Sequence, residues 1–313
     1  MTSGDPVRVA VVGAGRMGRT HLRALAAARG ADPAAVVEPV ASVREELAAS
    51  GLRTHANVEE LLAAEGADAA LIAAPTDLHV ELVAELAAAG LPILCEKPCG
   101  LRADETAEAM RAAAAAGVPL QIGYWRRFVP ELVELQAKLV ARMFGELSAI
   151  SCWQWDAHPP SPSFRARSGG ILLDMGVHEF DQIRWLTGQE IAEIYALPAT
   201  ATSEEPVPGD PESVAVLTRL SGGAVATVSL GRRFPHGDCC WMEVMGIDGY
   251  ARSLFMWGED GTQVFHAALV AQAEAFAAAV RGEPQLGATG EDAFRAIEAA
   301  ARAAQSLSLV ARR

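Results

Sequence analysis

Val9-Ala10-Val11-Val12 runs directly into Gly13-Ala14-Gly15-Arg16-Met17-Gly18, and an amphipathic stretch follows at once. An apolar strand, a GxGxxG hexamer and a helical period in that order confine the chain to few folds. Glycines permit a tight turn and let backbone N–H groups approach an anionic diphosphate, whose charge then rests on the positive end of the following helix. The hexamer alone is weak evidence, because a plain strand-to-helix turn looks alike; the flanking strand and helix make it informative. Gly13, Gly15, Arg16, Met17 and Gly18 are therefore expected to line a dinucleotide site.

The same alternation continues to residue 122. Strands are predicted at Arg8 to Val12, Ala35 to Glu38, Ala69 to Ala73, Pro92 to Cys95 and Leu120 to Gly123. Between them fall helices near Met17 to Arg29, Val43 to Ala49, Val58 to Ala64, Leu78 to Ala89 and Ala103 to Ala116, with Asn57 and Asp104 as N-caps and Gly90 and Gly117 as stops. This is the pattern of a doubly wound parallel sheet. From residue 123 the pattern changes to longer strands at Gly145 to Trp155, Ile191 to Leu197, Val214 to Leu220, Ala224 to Leu230 and Trp241 to Met245, with a hairpin signal at Ser221-Gly222-Gly223. A long helix over Ile171 to Leu186 interrupts them, and helices over His266 to Arg281 and Asp292 to Leu309 close the chain. The expected organisation is α/β: residues 1–122 as a dinucleotide domain, and 123–313 as an α+β domain with a large open, mostly antiparallel sheet.

Composition excludes several partners. A net charge of -13 opposes nucleic acid and anionic membranes. Cys95, Cys99, Cys152, Cys239 and Cys240 form no CxxC pair and stand at no zinc-ligand spacing, so they read as reduced thiols, and no metal site is expected. Met1 to Val12 lacks a basic region ahead of an apolar signal core, and no stretch is expected to reach the ~18 apolar residues of a membrane span. A cytoplasmic protein with no membrane partner is the expectation.

Glu38 lies 20 residues beyond Gly18, where an acid accepts hydrogen bonds from the adenosine ribose and repels a 2′-phosphate. NAD is thus favoured over NADP, although Ser42 and Arg44 stand near enough to keep NADP in play, and a solvated Glu38 would look the same. Ala74, Pro75 and Thr76 follow the third strand at a carboxyl-end loop, with His79 just beyond, and Glu96 and Lys97 follow the fourth; all are expected to border the cofactor. The Lys97-Pro98 bond is a candidate for cis geometry. A surface ion pair before a turn is the plainer reading of Glu96 and Lys97.

Asp174 and His178 stand i, i+4 in the Ile171 to Leu186 helix, and Asp181 follows three residues later, so the three share one stripe. Acids beside an imidazole make a proton-transfer unit, since a carboxylate orients the ring and favours its protonated form. On spacing alone, a capped or paired structural feature is the commoner reading of a helix-borne Asp and His.

The ordered set Gly13–Gly18, Glu38, APTDLH at 74–79, EKP at 96–98, GYWRRF at 123–128, GGILLDMGVHEFD at 169–181 and Thr289-Gly290-Glu291-Asp292 resembles the Gfo/Idh/MocA oxidoreductases over nearly the whole chain. That resemblance implies a Rossmann domain followed by a substrate-binding sheet domain. It also implies Lys97, Asp174 and His178 as the catalytic set: His178 or Lys97 carries the hydroxyl proton, Asp174 steadies the imidazole, and Lys97 binds the developing alkoxide. The 124–128 segment is most similar to the inositol dehydrogenase branch, which implies Arg127 as a contact to a polyol or sugar. The residue-level alternative pairs Arg126 and Arg127 with Glu131 and Glu134. Asp156 and His158, after a strand of the second domain, are further substrate candidates. The segment from Gly258 to His266 is short for the family, so a trimmed pocket loop is expected. Three activities stay open: NAD-dependent oxidation of a cyclic polyol or sugar, reduction of a keto-sugar or keto-cyclitol, and a regulator that binds dinucleotide without turnover. A broad open sheet needs covering, so a homodimer or homotetramer through the second domain is expected.

Overall fold

A computed structural model describes residues 5–64, 66–199, 207, 209–258 and 260–310. The chain divides into two compact units, one of residues 1–125 and 266–294, the other of 126–265 and 295–313. Sequence places a single boundary after residue 122; the chain instead re-enters the first unit late. Two features explain the return. Ala273, Phe276 and Ala277 are buried with Val9, Val11, Leu22, Leu25, Leu71 and Leu94 in one apolar core, and Ala288–Thr289 pairs antiparallel with the sheet edge.

The first unit holds β1 (Val7–Val12), β2 (Ala31–Val37), β3 (Thr54–His55), β4 (Ala69–Ile72), β5 (Ile93–Cys95) and β6 (Leu120–Ile122). With β13 (Ala288–Thr289) they form one sheet in the order β13-β6-β5-β4-β1-β2-β3. All pairs except β13–β6 are parallel. Both faces are covered, which is why β4 is buried at every residue and reads as a continuous apolar run. The strand expected to start at Ala35 starts at Ala31. Pro33 cannot donate to the ladder, and the register shifts beside it, so the pattern there reads as loop.

Asn57 caps as expected, its Oδ1 accepting from Glu60 N at 2.8 Å. Asp104 does not, because the helix Ala103–Ala116 leaves it inside the first turn. Glu105 takes the role, accepting from the backbone N–H of Leu101 and Arg102. Gly117 ends that helix in the left-handed region at φ 68°.

The second unit holds β7 (Leu147–Trp155), β8 (Ile191–Pro198), β9 (Ser213–Leu220), β10 (Val225–Gly231), β11 (Cys239–Gly246) and β12 (Tyr250–Trp257). They form a sheet in the order β12-β11-β7-β10-β9-β8. Only the β7–β10 pair is parallel. Strict in–out alternation along β9 marks a sheet packed on one face. Helices Pro130–Val140 and Val177–Thr187 belong to this unit, and the late helices Asp260–Val280 and Gly290–Val310 run from one unit into the other. Sequence missed β12, β3 and β13, and it missed that Gly261–Val280 is long and apolar enough to cross a membrane, with a mean hydropathy of 1.3. Ala268, Leu269, Ala273, Phe276 and Ala277 of that helix are buried.

Candidate active site

Gly13 has φ 97°, and a Cβ there would stand 2.8 Å from the Ala73 carbonyl oxygen; at Gly18 it would stand 1.9 Å from the Gly13 oxygen. Strand β1, its turn and the helix Arg16–Ala27 therefore pack too closely for any other residue. Gly15 is the opposite case, with nothing within 4 Å of its would-be Cβ. It occupies the helix N-cap, supplies no side-chain cap, and no acid lies in the first turn. The first N–H groups of this helix are left for an anion, and Arg16 stands exposed beside them. Met17 is half-buried. The donor set suits the diphosphate of a dinucleotide.

Glu38 follows β2, only 8% exposed, and its carboxylate accepts from Ala14 N and Val40 N, both at 3.0 Å. The acid is thus built into the glycine turn rather than solvated. Arg44, the cation that kept NADP in play, donates through Nη1 to the carbonyls of Glu38 and Pro39 at 2.7 and 2.8 Å.

Two loops follow β4 and β5 at their carboxyl ends. His79 was expected to border the cofactor; it is buried, with its ring nitrogens 2.9 Å from the Ala74 oxygen and 2.8 Å from the Pro98 oxygen. It ties the Ala74-Pro75-Thr76 loop to the loop carrying Lys97. Glu96 is likewise a brace, with Oε1 2.6 Å from His21 Nε2 and Oε2 accepting from Lys97 N at 3.0 Å. Burial pushes the Glu96 carboxyl up, but the hydrogen bond and charge of His21, with Lys97 beside it, outweigh burial and hold it below the usual value. Lys97 is half-buried and its bond to Pro98 is cis. All five cysteines are buried thiols, and burial raises Cys95, Cys152 and Cys240, the last to about 12. Among the described residues no cluster of three or more His, Cys, Asp or Glu could hold a metal ion.

In the second unit, Gly169 and Gly170 both adopt positive φ and lead into a π-helical turn, Leu172–Gly176, followed by the α-helix Val177–Thr187. The continuous helix expected over 171–186 is therefore broken in its period, and Asp174 and His178 lie on either side of the junction. Wide turns of this kind recur at functional sites. His178 is 6% exposed. Asp174 Oδ2 stands 3.1 Å from Nη1 of Arg232, which is fully buried. Arg232 Nη2 reaches Asp210, and Asp210 also pairs with Arg165 Nε at 2.8 Å and accepts from Ile171 N at 2.7 Å.

Asp181 keeps its spacing to His178 within the Val177–Thr187 helix but is committed to an arginine. Its carboxylate takes both Nε and Nη2 of Arg127, at 3.0 and 2.6 Å, in a pair that is nearly fully buried. Arg126 pairs with Glu179 and donates to Gln182 and Gln154. Neither arginine meets Glu131 or Glu134 as sequence allowed; Glu134 pairs with Lys138 instead. Burial would lower the Arg126 pKa, but Glu179 keeps it raised. Asp156, after β7, is half-buried, with its backbone bonded to Gly231 and Phe234. His158 is exposed on the same loop.

Sequence reading missed His21, Arg165, Asp210 and Arg232. His21 had a signal, a histidine three residues past the last glycine on the buried helix face. Arg232 had none, since its partners lie 58 and 22 residues away in the chain.

The "Oxidoreductase family, NAD-binding Rossmann fold" matches residues 7–124, and the "GFO/IDH/MocA C-terminal domain" matches residues 133–252. The chain is 49% identical over 301 residues to the rhizopine catabolism protein MocA of Rhizobium meliloti, covering 96% of this chain and 95% of that one. It is 35% identical over 244 residues to the myo-inositol dehydrogenase Hyg17 of Streptomyces leeuwenhoekii, covering 77% and 74%. The crystal structure of a myo-inositol dehydrogenase from Corynebacterium glutamicum superposes with a TM-score of 0.89 at 25% identity over 97% of each chain. On these matches and on the glycine turn with its Glu38, the chain belongs to the GFO/IDH/MocA family of NAD-binding oxidoreductases.

Proposed function

We propose that the chain oxidises a hydroxyl-bearing carbon of a cyclic polyol, an inositol or a close relative such as a rhizopine, with NAD as hydride acceptor. Bound NAD supplies the two-electron sink. The residues that would hold it are the 13–18 turn, Glu38 and the 74–76 loop. His178 takes the hydroxyl proton as the C–H bond breaks, Asp174 orients the ring and favours its imidazolium form, and Lys97 donates a hydrogen bond to the developing alkoxide. Asp156 and His158 are the proposed contacts to the remaining hydroxyls. Arg127, with two of its nitrogens committed to Asp181, is proposed to shape that region by holding the Val177–Thr187 helix rather than by meeting the polyol.

The observation that supports this reading is the intact Lys97, Asp174 and His178 set in a chain of this family. A dinucleotide-binding regulator needs no proton relay. The test is a panel of inositols, rhizopine and linear sugars with NAD and with NADP, read by nicotinamide absorbance. Turnover with at least one cyclic polyol and NAD is expected. No turnover with any cyclic polyol, in either direction, would overturn the proposal.

A further inference from the structure

We propose that Arg232 is a positioning residue that holds the Asp174 carboxylate in one orientation; this rests on the reading of Asp174 as part of the proton relay. Arg232 follows β10 directly and is fully buried. A guanidinium cannot shed its proton to ease that burial, so it must be paired. Its Nη1 faces Asp174 Oδ2 at 3.1 Å and its Nη2 faces Asp210 Oδ2 at 3.4 Å. Its backbone N–H donates to the Glu212 oxygen at 2.9 Å, which anchors the strand end beneath it.

Asp210 makes this more than an isolated pair. Its Oδ1 accepts from Ile171 N at 2.7 Å, at the entry to the π-helical turn on which Asp174 rides. Asp174 N in turn donates to the Gly170 oxygen at 2.9 Å. One acid therefore pins both the backbone that carries Asp174 and the arginine that holds its side chain. Arg165 completes the arrangement, with Nε on Asp210 at 2.8 Å and Nη1 on Glu212 at 3.3 Å. Replacing a buried ion pair by apolar groups is often neutral or stabilising, so stability alone gives little reason for a fully buried arginine here. Holding an acid at a defined place beside a helix that carries His178 does.

The test is a double-mutant cycle between Arg232 and Asp174, measured with the preferred polyol and NAD. Arg232→Met, close in shape but uncharged, is expected to lower kcat by about 10- to 100-fold, the usual loss for a residue that orients a site group, with KM for the polyol changed less than about threefold. Arg232→Lys is expected to recover part of the loss. In an Asp174→Asn background, Arg232→Met should cost little more, because the group it positions is gone. Should Arg232→Met not fold, the cycle with Arg232→Lys decides in the same way. A large effect of Asp174→Asn combined with no kcat effect of the Arg232 variants, or with effects that simply multiply, would overturn the positioning role. Wild-type turnover in Asp174→Asn would instead overturn the reading of Asp174 on which it rests.

Discussion

Glu96 carries its charge at 8% exposure, which burial alone would disfavour. His21, 2.6 Å away on the helix that follows the glycine turn, offsets that cost and holds the carboxyl below its usual pKa. Since the folded value is depressed, the pair's stabilisation is fully present above the unfolded carboxyl pKa of about 4.3 and is lost as pH falls through the lower folded value. Glu96→Gln leaves His21 facing an uncharged group and should cost about 3 kcal/mol at neutral pH, the lower range for breaking a buried pair. Thermal melts of both proteins across pH check this. The gap should hold from neutral pH down to about pH 5 and close below that; a gap that stays constant into strong acid would contradict the charge assignment. Sequence placed Glu96 at the carboxyl end of its strand, as the structure does, and misjudged its partner. The role of a charged residue depends on what tertiary packing brings to it, and His21 lies 75 positions away.

The glycine turn and the π-helical turn are the two elements on which the proposed chemistry depends, and they differed in legibility. Each glycine in the first answers a local demand that sequence can express. Gly18→Ala sets a Cβ against the Gly13 carbonyl, a backbone atom that cannot yield, so the turn must open. Overpacking of this kind costs about 1 to 3 kcal/mol, and NADH affinity should fall about tenfold or more. Gly15→Ala meets nothing within 4 Å and should keep wild-type stability. Fluorescence titration with NADH beside thermal melts separates the two, and unchanged affinity in Gly18→Ala would contradict the packing account. The π turn was not legible, because a one-residue widening leaves the apolar pattern of 171–186 intact; it is specified by Gly169, Gly170 and the distant Asp210. Strands of two residues, β3 and β13, offer no period to read at all.

Sequence assigns the apolar late helix to the second domain, whereas most of it packs into the core of the first unit. Nothing in a helical period says which core a helix serves. The second sheet poses a further question. Leu254, Trp241, Trp153, Ser229, Ala215 and Leu197 stand in register across all six strands on one face. Trp153 and Trp241 stack at 5.1 Å, and Leu197, Leu217 and Leu254 are about half exposed. We propose that a second copy of the chain covers this face, since exposed Leu197, Leu217, Leu254 and Trp153 side chains are unfavourable in water. Sedimentation at micromolar concentration should give a dimer or tetramer, and Leu217→Glu with Leu254→Glu should dissociate it. A wild-type monomer would contradict the proposal.

Under the proposed function, Lys97 and His178 serve one hydride transfer. His178→Ala and Lys97→Met, assayed with the preferred polyol, measure it most directly, by comparing turnover with NADH affinity in the same preparations. Each folded variant is expected to lose on the order of 10² to 10⁴ in kcat, the usual size of a lost proton-transfer group, while binding NADH within about threefold of wild type. Wild-type turnover in both folded variants would contradict it.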